Sequence, residues 1–399
     1  MKRQLNVLIA GAGIGGLTAA LALLKRGYQV HVCEQTAQLR EVGAGLQLSP
    51  NGLRALYQLG LGDALRAIST EPLGKEIRLW STGQAWKLFD LGAACVEQYG
   101  YPYLTIYRPD LHKILADAVR AESPHAIMLG ARCAGFEQTD RGVTLELSDG
   151  RKLRGEVLIG ADGVHSRIRN QLTGADRPTF SGCVAWRGVI PMERLPQHMS
   201  RTFGTNWIGP GAHVIHYPLR AGTIMNFVGI VERDDWKIES WSQKGTIEEC
   251  HADFKGWHGD VHELIENVEV PYKWALMARD PMRKWSYGRV TLLGDACHPT
   301  LPFLAQGAVM AVEDAYIVAR CIEAHEADLA FGLRRYEAAR IERTTSIVLR
   351  STESGRLFHN AALASAEGAA AYVDREWSEA KIRERYDWLF RYNVDEIPI

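Results

Sequence analysis

None of the seven cysteines, at positions 33, 95, 133, 183, 250, 297 and 321, stands in C-x-x-C spacing. That removes the zinc knuckle and the redox dithiol, and leaves reduced thiols of the kind a cytosolic protein carries. No run of about 18 apolar residues occurs, so no membrane-spanning helix is expected. Met1-Lys2-Arg3 leads straight into a strand, which leaves no place for a cleavable signal peptide; a soluble, cytoplasmic chain is expected. Lys and Arg together number 46 against 47 Asp and Glu, so no cationic surplus exists for a nucleic-acid partner. The histidines at 213, 216, 251, 258 and 262 lack the H-E-x-x-H register, and no metal site is expected. Repeats and low-complexity stretches are missing.

What is present is organised around Val7-Leu8-Ile9-Ala10-Gly11-Ala12-Gly13-Ile14-Gly15-Gly16. It reads as a buried strand, a glycine turn and a helix from Leu17 to Lys25. Gly11, Gly13 and Gly16 have G-x-G-x-x-G spacing, in which a tight turn lets backbone approach a pyrophosphate and helix pack on strand. Ile14 and Gly15 lie in the glycine turn just before that helix, whose N-terminal N–H groups would face the phosphates. A second strand, Tyr28 to Cys33, ends at Glu34 and Gln35, about twenty residues on, where an acid usually holds a ribose hydroxyl. The motif occurs once, so a second dinucleotide would bind without a domain of its own.

With 399 residues, the chain is long enough for two or three subdomains. The segment Arg40 to Gln47, which includes Gly45 and Leu46, is small-residue backbone suited to close approach. Helices are expected over 52–59 and 111–121, a strand pair over 76–80 and 85–89, and a hairpin around Ser148-Asp149-Gly150-Arg151. Val157 to Gly160 then runs into Ala161-Asp162-Gly163. From Phe180 to Tyr272 helical periodicity gives way to short β segments rich in Trp, Tyr and His. Arg289 to Leu293 is again a strand, delivering Gly294-Asp295, and a helix follows over 307–324. The rest is helical, with an Ala-rich stretch at 361–371. The fold class is thus α/β: a Rossmann-like domain over 1–179 and 276–325, an inserted β-sheet substrate domain over 180–275 and a C-terminal helical region over 326–399.

Three strand ends therefore carry small residues, and two of them an acid: Gly11-Ala12-Gly13, Gly160-Ala161-Asp162-Gly163 and Gly294-Asp295. In doubly wound sheets the ligand lies at the carboxyl ends of the strands, and one long cofactor could touch all three. Together these residues resemble the class A flavin-dependent aromatic hydroxylases of the para-hydroxybenzoate hydroxylase fold, over nearly the whole chain. Ala161-Asp162-Gly163 with Ser166 and Arg169 is similar to that family's DG motif, and Gly294 to Pro299 to its GD motif. Ala305-Gln306-Gly307-Ala308 is similar to the loop beside the flavin ring, and Arg108 to the arginine on the flavin's linker. The segment 40–51 and the late GDACHP look most like the salicylate and monohydroxybenzoate hydroxylases, with hydroxynicotinate monooxygenases close by.

The resemblance implies FAD as cofactor, NADH or NADPH as a transient reductant, and oxygen transfer through a flavin C4a-hydroperoxide. The implied substrate is a small hydroxylated aromatic acid, salicylate first, with 3-hydroxybenzoate or a hydroxynicotinate as alternatives. A flavin oxidase or dehydrogenase that inserts no oxygen is the more distant alternative, and a homodimer is left open. Such chemistry needs an acceptor for the phenol proton, a donor or cation for the carboxylate, and a dry pocket. On one strand, alternation puts His213 and Tyr217 on the same face and His216 on the other. By the resemblance His213 is the phenol-side acceptor and Tyr217 a hydroxyl ligand. Gln47 lies where some relatives carry a histidine. The other wall would include Pro299 to Phe303, where Pro302 and Phe303 replace a polar ligand of some relatives. Arg187 is a candidate for the reductant's phosphates, and His298 for a structural or cofactor-side hydrogen bond.

Overall fold

The computed structural model describes residues 5–39, 43–175, 177–235 and 243–399. The strand Asn6–Ala10 is buried along almost its whole length and lies inside a six-stranded sheet. It pairs in parallel with Gln29–Cys33 on one side and Val157–Gly160 on the other; Val157–Gly160 in turn pairs in parallel with Val290–Leu292. Such continuous apolar runs are what a parallel sheet covered on both faces requires. The helices Ile14–Leu24 and Gly307–Ala324 pack against it and against each other, with a core that includes Leu17, Leu21, Val309, Val312 and Ile317. All three motif-bearing strand ends thus meet at one edge of one sheet.

The second large sheet has seven strands, in the order Tyr272–Ala278, Thr179–Pro191, Ile224–Glu232, Ala212–Leu219, Phe203–Gly209, Gly74–Leu79 and Ala85–Asp90. The last two come from the first part of the chain, so this sheet is not enclosed by residues 180–275. Gly74–Leu79 docks in parallel on Phe203–Gly209, and Ala85–Asp90 closes the edge as the hairpin partner expected from the sequence. One face buries Trp186, Trp207, Val214 and Phe227 under two helices, Ile247–Asp253 and Gly259–Asn267. Helices were not expected between 180 and 272. Both are short, but Thr246 and Glu249 form a capping box, a start signal present in the sequence.

The other face looks toward the six-stranded sheet and the C-terminal helices. Ile77, Leu79, Ile208 and Ile230 pack there against Phe303, Phe358, Tyr372 and Trp377. The C-terminal region is built from one helix, Leu329–Phe358, followed by Ala366–Glu376 and Glu379–Phe390. The helix Gly307–Ala324 has the bounds expected from the sequence. Among the described residues no helix is long and apolar enough to cross a membrane.

Candidate functional site

The three glycines of the fingerprint are held by three different constraints. Gly11 has φ of 101°, in the left-handed region, and a Cβ there would sit 2.4 Å from the carbonyl of Ala161. At Gly16 a Cβ would lie 2.1 Å from the carbonyl of Gly11. At Gly13 it would meet nothing within 4 Å, so that side of the turn is open. The helix that begins at Ile14 has no side-chain cap, which leaves the N–H groups of Ile14, Gly15 and Gly16 directed at this opening. Glu34 accepts from the N–H of Ala12 at 2.9 Å and from the N–H of Thr36 at 2.9 Å, which fixes its carboxylate against the turn. Gln35 is exposed beside it. Arg40 lies outside the described residues.

The two acidic motifs are joined to each other. Asp162 accepts from the N–H groups of Arg167 and Ile168, at 2.7 and 3.2 Å, and from the hydroxyl of Ser166. Gly163 takes φ of 75° to make that turn. Arg169 is buried; its guanidinium donates to the carbonyl of Val164 at 2.8 Å and to that of Ala296 at 3.2 Å, tying the DG turn to the GD turn. Asp295 opens onto the cleft. Surrounding protein pushes its carboxyl upward, with His298 and Arg108 pulling the other way. Arg108 begins the helix Arg108–Glu122, and its N–H bonds the carbonyl of Ala44.

The loop 299–306 carries Pro299, Phe303 and Ala305, whose φ of 54° is strained for a residue with a Cβ. Gln306 donates to Ser49 Oγ at 3.0 Å and accepts from Asn51 at 3.1 Å. It thereby orients the start of the helix Gly307–Ala324, where Gly307 and Ala308 stand with no side-chain cap above them. Behind that start lies a buried charge network. Arg340 bonds Glu313 and Asp314, each at 2.7 Å; Arg343 also bonds Glu313, at 2.8 Å, and His298 bonds Asp314. Cys297, His298 and Asp314 lie close enough together to offer a metal ion three ligands. Asp314 accepts from Arg340 and from the N–H of Gly294 and pairs with His298, so it and His298 belong to the ion-pair network.

On the face of the seven-stranded sheet that looks toward this loop, His213 and Tyr217 stand on the same side of Ala212–Leu219 and both are buried. His213 packs against Phe303 and Phe358, with ring centroids 5.6 and 5.0 Å away. Burial, aided by His359, holds its imidazole well below the ordinary range, which favours the neutral ring. Tyr217 sits at the other end, against Gly45 and Asn226. Burial pushes its hydroxyl up, with Gln47 opposing. Asn226 accepts from the N–H of Gly45 at 2.7 Å, which locks the strand Gly45–Leu48, and with it Leu46 and Gln47, onto this face.

Sequence reasoning assigned no cation to this face. The structure places one there: Lys75, whose Nζ lies 2.5 Å from Gln47 Oε1 and 2.8 Å from the hydroxyl of Tyr103. Gly204, its partner on the next strand, has no side chain, and Lys75 lies across it. Burial pulls the Lys75 amine down to about 7, and no carboxylate is paired with it among the described ion pairs. His216 points to the opposite face, where it accepts from Trp207 Nε1 at 3.2 Å; burial first, then Arg78, holds it down to about 3. Arg187 is buried and stacked on Tyr272 and Trp274, a packing position with no open surface for a nucleotide's phosphates.

These features agree with what the chain is similar to. Residues 4–351 match the family described as FAD binding domain. The 3-amino-4-hydroxybenzoate 2-monooxygenase PtnB3 of Streptomyces platensis is 39% identical over 390 residues, covering 98% of this chain and 96% of that protein. The 3-hydroxybenzoate 6-hydroxylase of Polaromonas naphthalenivorans (strain CJ2) is 35% identical over 405 residues, covering 98% and 97%. Among solved structures, Klebsiella pneumoniae HpxO complexed with FAD and uric acid superimposes with a TM-score of 0.84 at 26% identity, over 100% of this chain and 98% of that one.

Proposed function

Since the chain belongs to the FAD-binding domain family and is an FAD-dependent aromatic monooxygenase of the hydroxybenzoate type, we propose that it hydroxylates a benzoate whose hydroxyl stands meta or para to the carboxylate. NADH or NADPH and O2 are the co-substrates in this reading. The observation that carries it is the separation of the two polar ends of the sheet face. His213 and Tyr217 are four residues apart on one strand, so their Cα atoms lie about 13 Å from each other. Lys75 and Gln47 lie at the Tyr217 end, and His213 at the other. An acid held by its carboxylate at Lys75 reaches toward His213 with a hydroxyl that stands apart from the carboxylate on the ring, at the meta or para position. In salicylate they are neighbours. The two benzoate relatives act on a 3-hydroxy and a 4-hydroxy acid by name, which supports the same choice over the salicylate preference drawn from the motifs.

The protein's own contributions follow from the geometry. The Lys75 ammonium and the Tyr217 hydroxyl hold the carboxylate. Neutral His213 accepts the hydroxyl's proton, because the ionised ring is the better nucleophile toward oxygen. Phe303, Phe358 and Ile208 keep water from that end. The flavin, once reduced, supplies the electrons and the activated oxygen.

A substrate panel tests the reading. Purified holoenzyme is mixed with 3-hydroxybenzoate, 4-hydroxybenzoate, 3-amino-4-hydroxybenzoate, 6-hydroxynicotinate and salicylate. NADH and NADPH oxidation are followed, and products are weighed by mass spectrometry after reaction with labelled O2. The expected result is one labelled oxygen in a product of a meta- or para-hydroxy acid. Fastest turnover of salicylate with loss of CO2 overturns the positional assignment. Pyridine-nucleotide oxidation with no labelled product from any acid overturns the hydroxylase reading itself.

A further inference from the structure

His213 is not an isolated base. Its Nδ1 lies 2.6 Å from Nε2 of His359, and Nδ1 of His359 lies 2.9 Å from Oε1 of Glu232. His213 is fully buried and His359 nearly so, whereas the Glu232 side chain is 55% exposed. At the inner end, Nε2 of His213 is buried and makes no hydrogen bond. The three side chains therefore form a line from a buried, unpartnered nitrogen to the solvent.

Their chemistry gives the line a direction. A carboxylate only accepts, so Glu232 fixes the proton of His359 on Nδ1. His359 Nε2 is then an acceptor and takes the Nδ1 proton of His213 as its donor. That leaves Nε2 of His213 as a bare lone pair. We infer that His359 and Glu232 are a proton relay, which sets His213 in its accepting tautomer and carries the substrate's hydroxyl proton out to solvent.

The inference rests on the proposed role of His213 and extends it to two residues in other elements. The steps balance. The substrate O–H bond breaks and an N–H bond forms at His213 Nε2, the Nδ1 proton of His213 passes to His359 Nε2, and the Nδ1 proton of His359 passes to Glu232 and to water. When the product takes up a proton at the same oxygen, the movement reverses and the starting tautomers return. His359 stands at the C-terminal end of the helix Leu329–Phe358, where the helix dipole favours a transient cation. Its carbonyl accepts from the N–H of Gly211, and Gly211's carbonyl accepts from the N–H of Glu232, so backbone holds the outer pair in register. The other groups around the relay are Phe303 and Phe358 beside His213 and the Cys183 thiol opposite Glu232. None of these is charged at neutral pH.

The test uses FAD-loaded protein and the ultraviolet absorbance of bound 3-hydroxybenzoate, which reports phenol against phenolate without turnover. Stopped-flow mixing gives the rate of phenolate formation, and equilibrium titration gives the Kd. For His359→Phe the relay predicts that phenolate forms at least about tenfold more slowly, with Kd within about twofold of wild type. Glu232→Gln, at an exposed position, slows the step by a smaller factor and shifts its pH profile. Wild-type rates of phenolate formation in Glu232→Gln and in Glu232→Ala overturn the relay, whatever His359→Phe does to folding. His213→Ala separates the two ideas. If it abolishes phenolate formation while the Glu232 variants do not affect it, the base stands and the relay falls. If His213→Ala leaves phenolate formation intact, the role of His213 falls and the relay with it.

Discussion

The Nζ of Lys75 lies 2.8 Å from the hydroxyl of Tyr103 and shares the oxygen of Gln47 with it, the Tyr103–Gln47 distance being 2.7 Å. The rings of Tyr103 and Phe89 flank the ammonium. A cation so placed, with neutral partners only, is stabilised by whatever anion enters.

Removal of Lys75 should therefore act on binding. Lys75→Met is expected to raise KM for the carboxylate substrate by about tenfold or more, the loss of one charge-assisted contact, with FAD retained and kcat changed less. The pH dependence has a definite sign. In the substrate-free enzyme the amine is pulled down to about 7 by burial, so below that pH it is already charged and the acid binds tightly. As pH rises above 7, binding must first restore the proton and affinity falls. Stability moves the other way: between 7 and the ordinary lysine range the unfolded chain holds the extra proton, so this residue's contribution to stability rises with pH there. Isothermal titration across pH 6 to 9 should show the falling affinity in wild type and a flat profile in Lys75→Met.

The fingerprint glycines separate folding from cofactor binding. Gly16→Ala puts a methyl group 2.1 Å from backbone that cannot move, and its cost should be about 1–3 kcal/mol or more. Gly13→Ala meets no protein atom within 4 Å, so the fold should be retained. The methyl instead occupies the space of the pyrophosphate, and FAD should bind about tenfold more weakly, a loss of about 1.4 kcal/mol. Thermal melts of the apoproteins with flavin fluorescence titration distinguish the two. A Gly13→Ala protein that keeps wild-type FAD affinity would mean that the turn does not face the cofactor.

This division explains which parts of the molecule were legible in the sequence. Gly11, Gly13 and Gly16 act over six residues, and the helix 307–324 starts and stops on local signals, so both could be read directly. Lys75 could not. Its partner Gln47 arrives from the strand Gly45–Leu48 and Tyr103 from a loop, and its own strand joins a sheet made mostly of residues beyond 179. His359 caps a helix to which the sequence assigns no site residue, and only the fold brings it to His213, 146 positions away. The strand alternation did place His213 and Tyr217 on one face. It carried no information on what faced them.

Tyr217 offers a check at the carboxylate end that leaves the charge alone. Tyr217→Phe removes one hydroxyl next to Gly45 and Gln47 while keeping the ring. KM should rise by a factor of about 3 to 10, in line with about 1 kcal/mol for a hydrogen bond, and phenolate formation by bound 3-hydroxybenzoate should persist. A variant that binds normally but forms no phenolate would move the proton-accepting role from His213 to Tyr217.

The charge network behind Gln306 should dominate stability. Arg340, Glu313 and Asp314 are each fully buried. Burial alone would raise both carboxyls; Arg343 and Arg340 around Glu313, and His298 and Arg340 around Asp314, outweigh it and hold them below the usual range. Their stabilising contribution is therefore present above the ordinary carboxylate range and is lost as pH falls below it. Arg340→Met strands buried negative charge and should cost about 3–5 kcal/mol. The sign of the pH effect then reverses, because the stranded carboxyls rise and are relieved by protonation. Urea unfolding should show the gap between wild type and Arg340→Met narrowing from pH 7 to pH 5. A gap that widens toward acid would mean the network is not held by charge, and that Arg340 matters through packing alone. Since Asn51 links Glu313 to Gln306, the same variant should also loosen the start of the helix at Gly307, seen as weaker FAD retention at neutral pH.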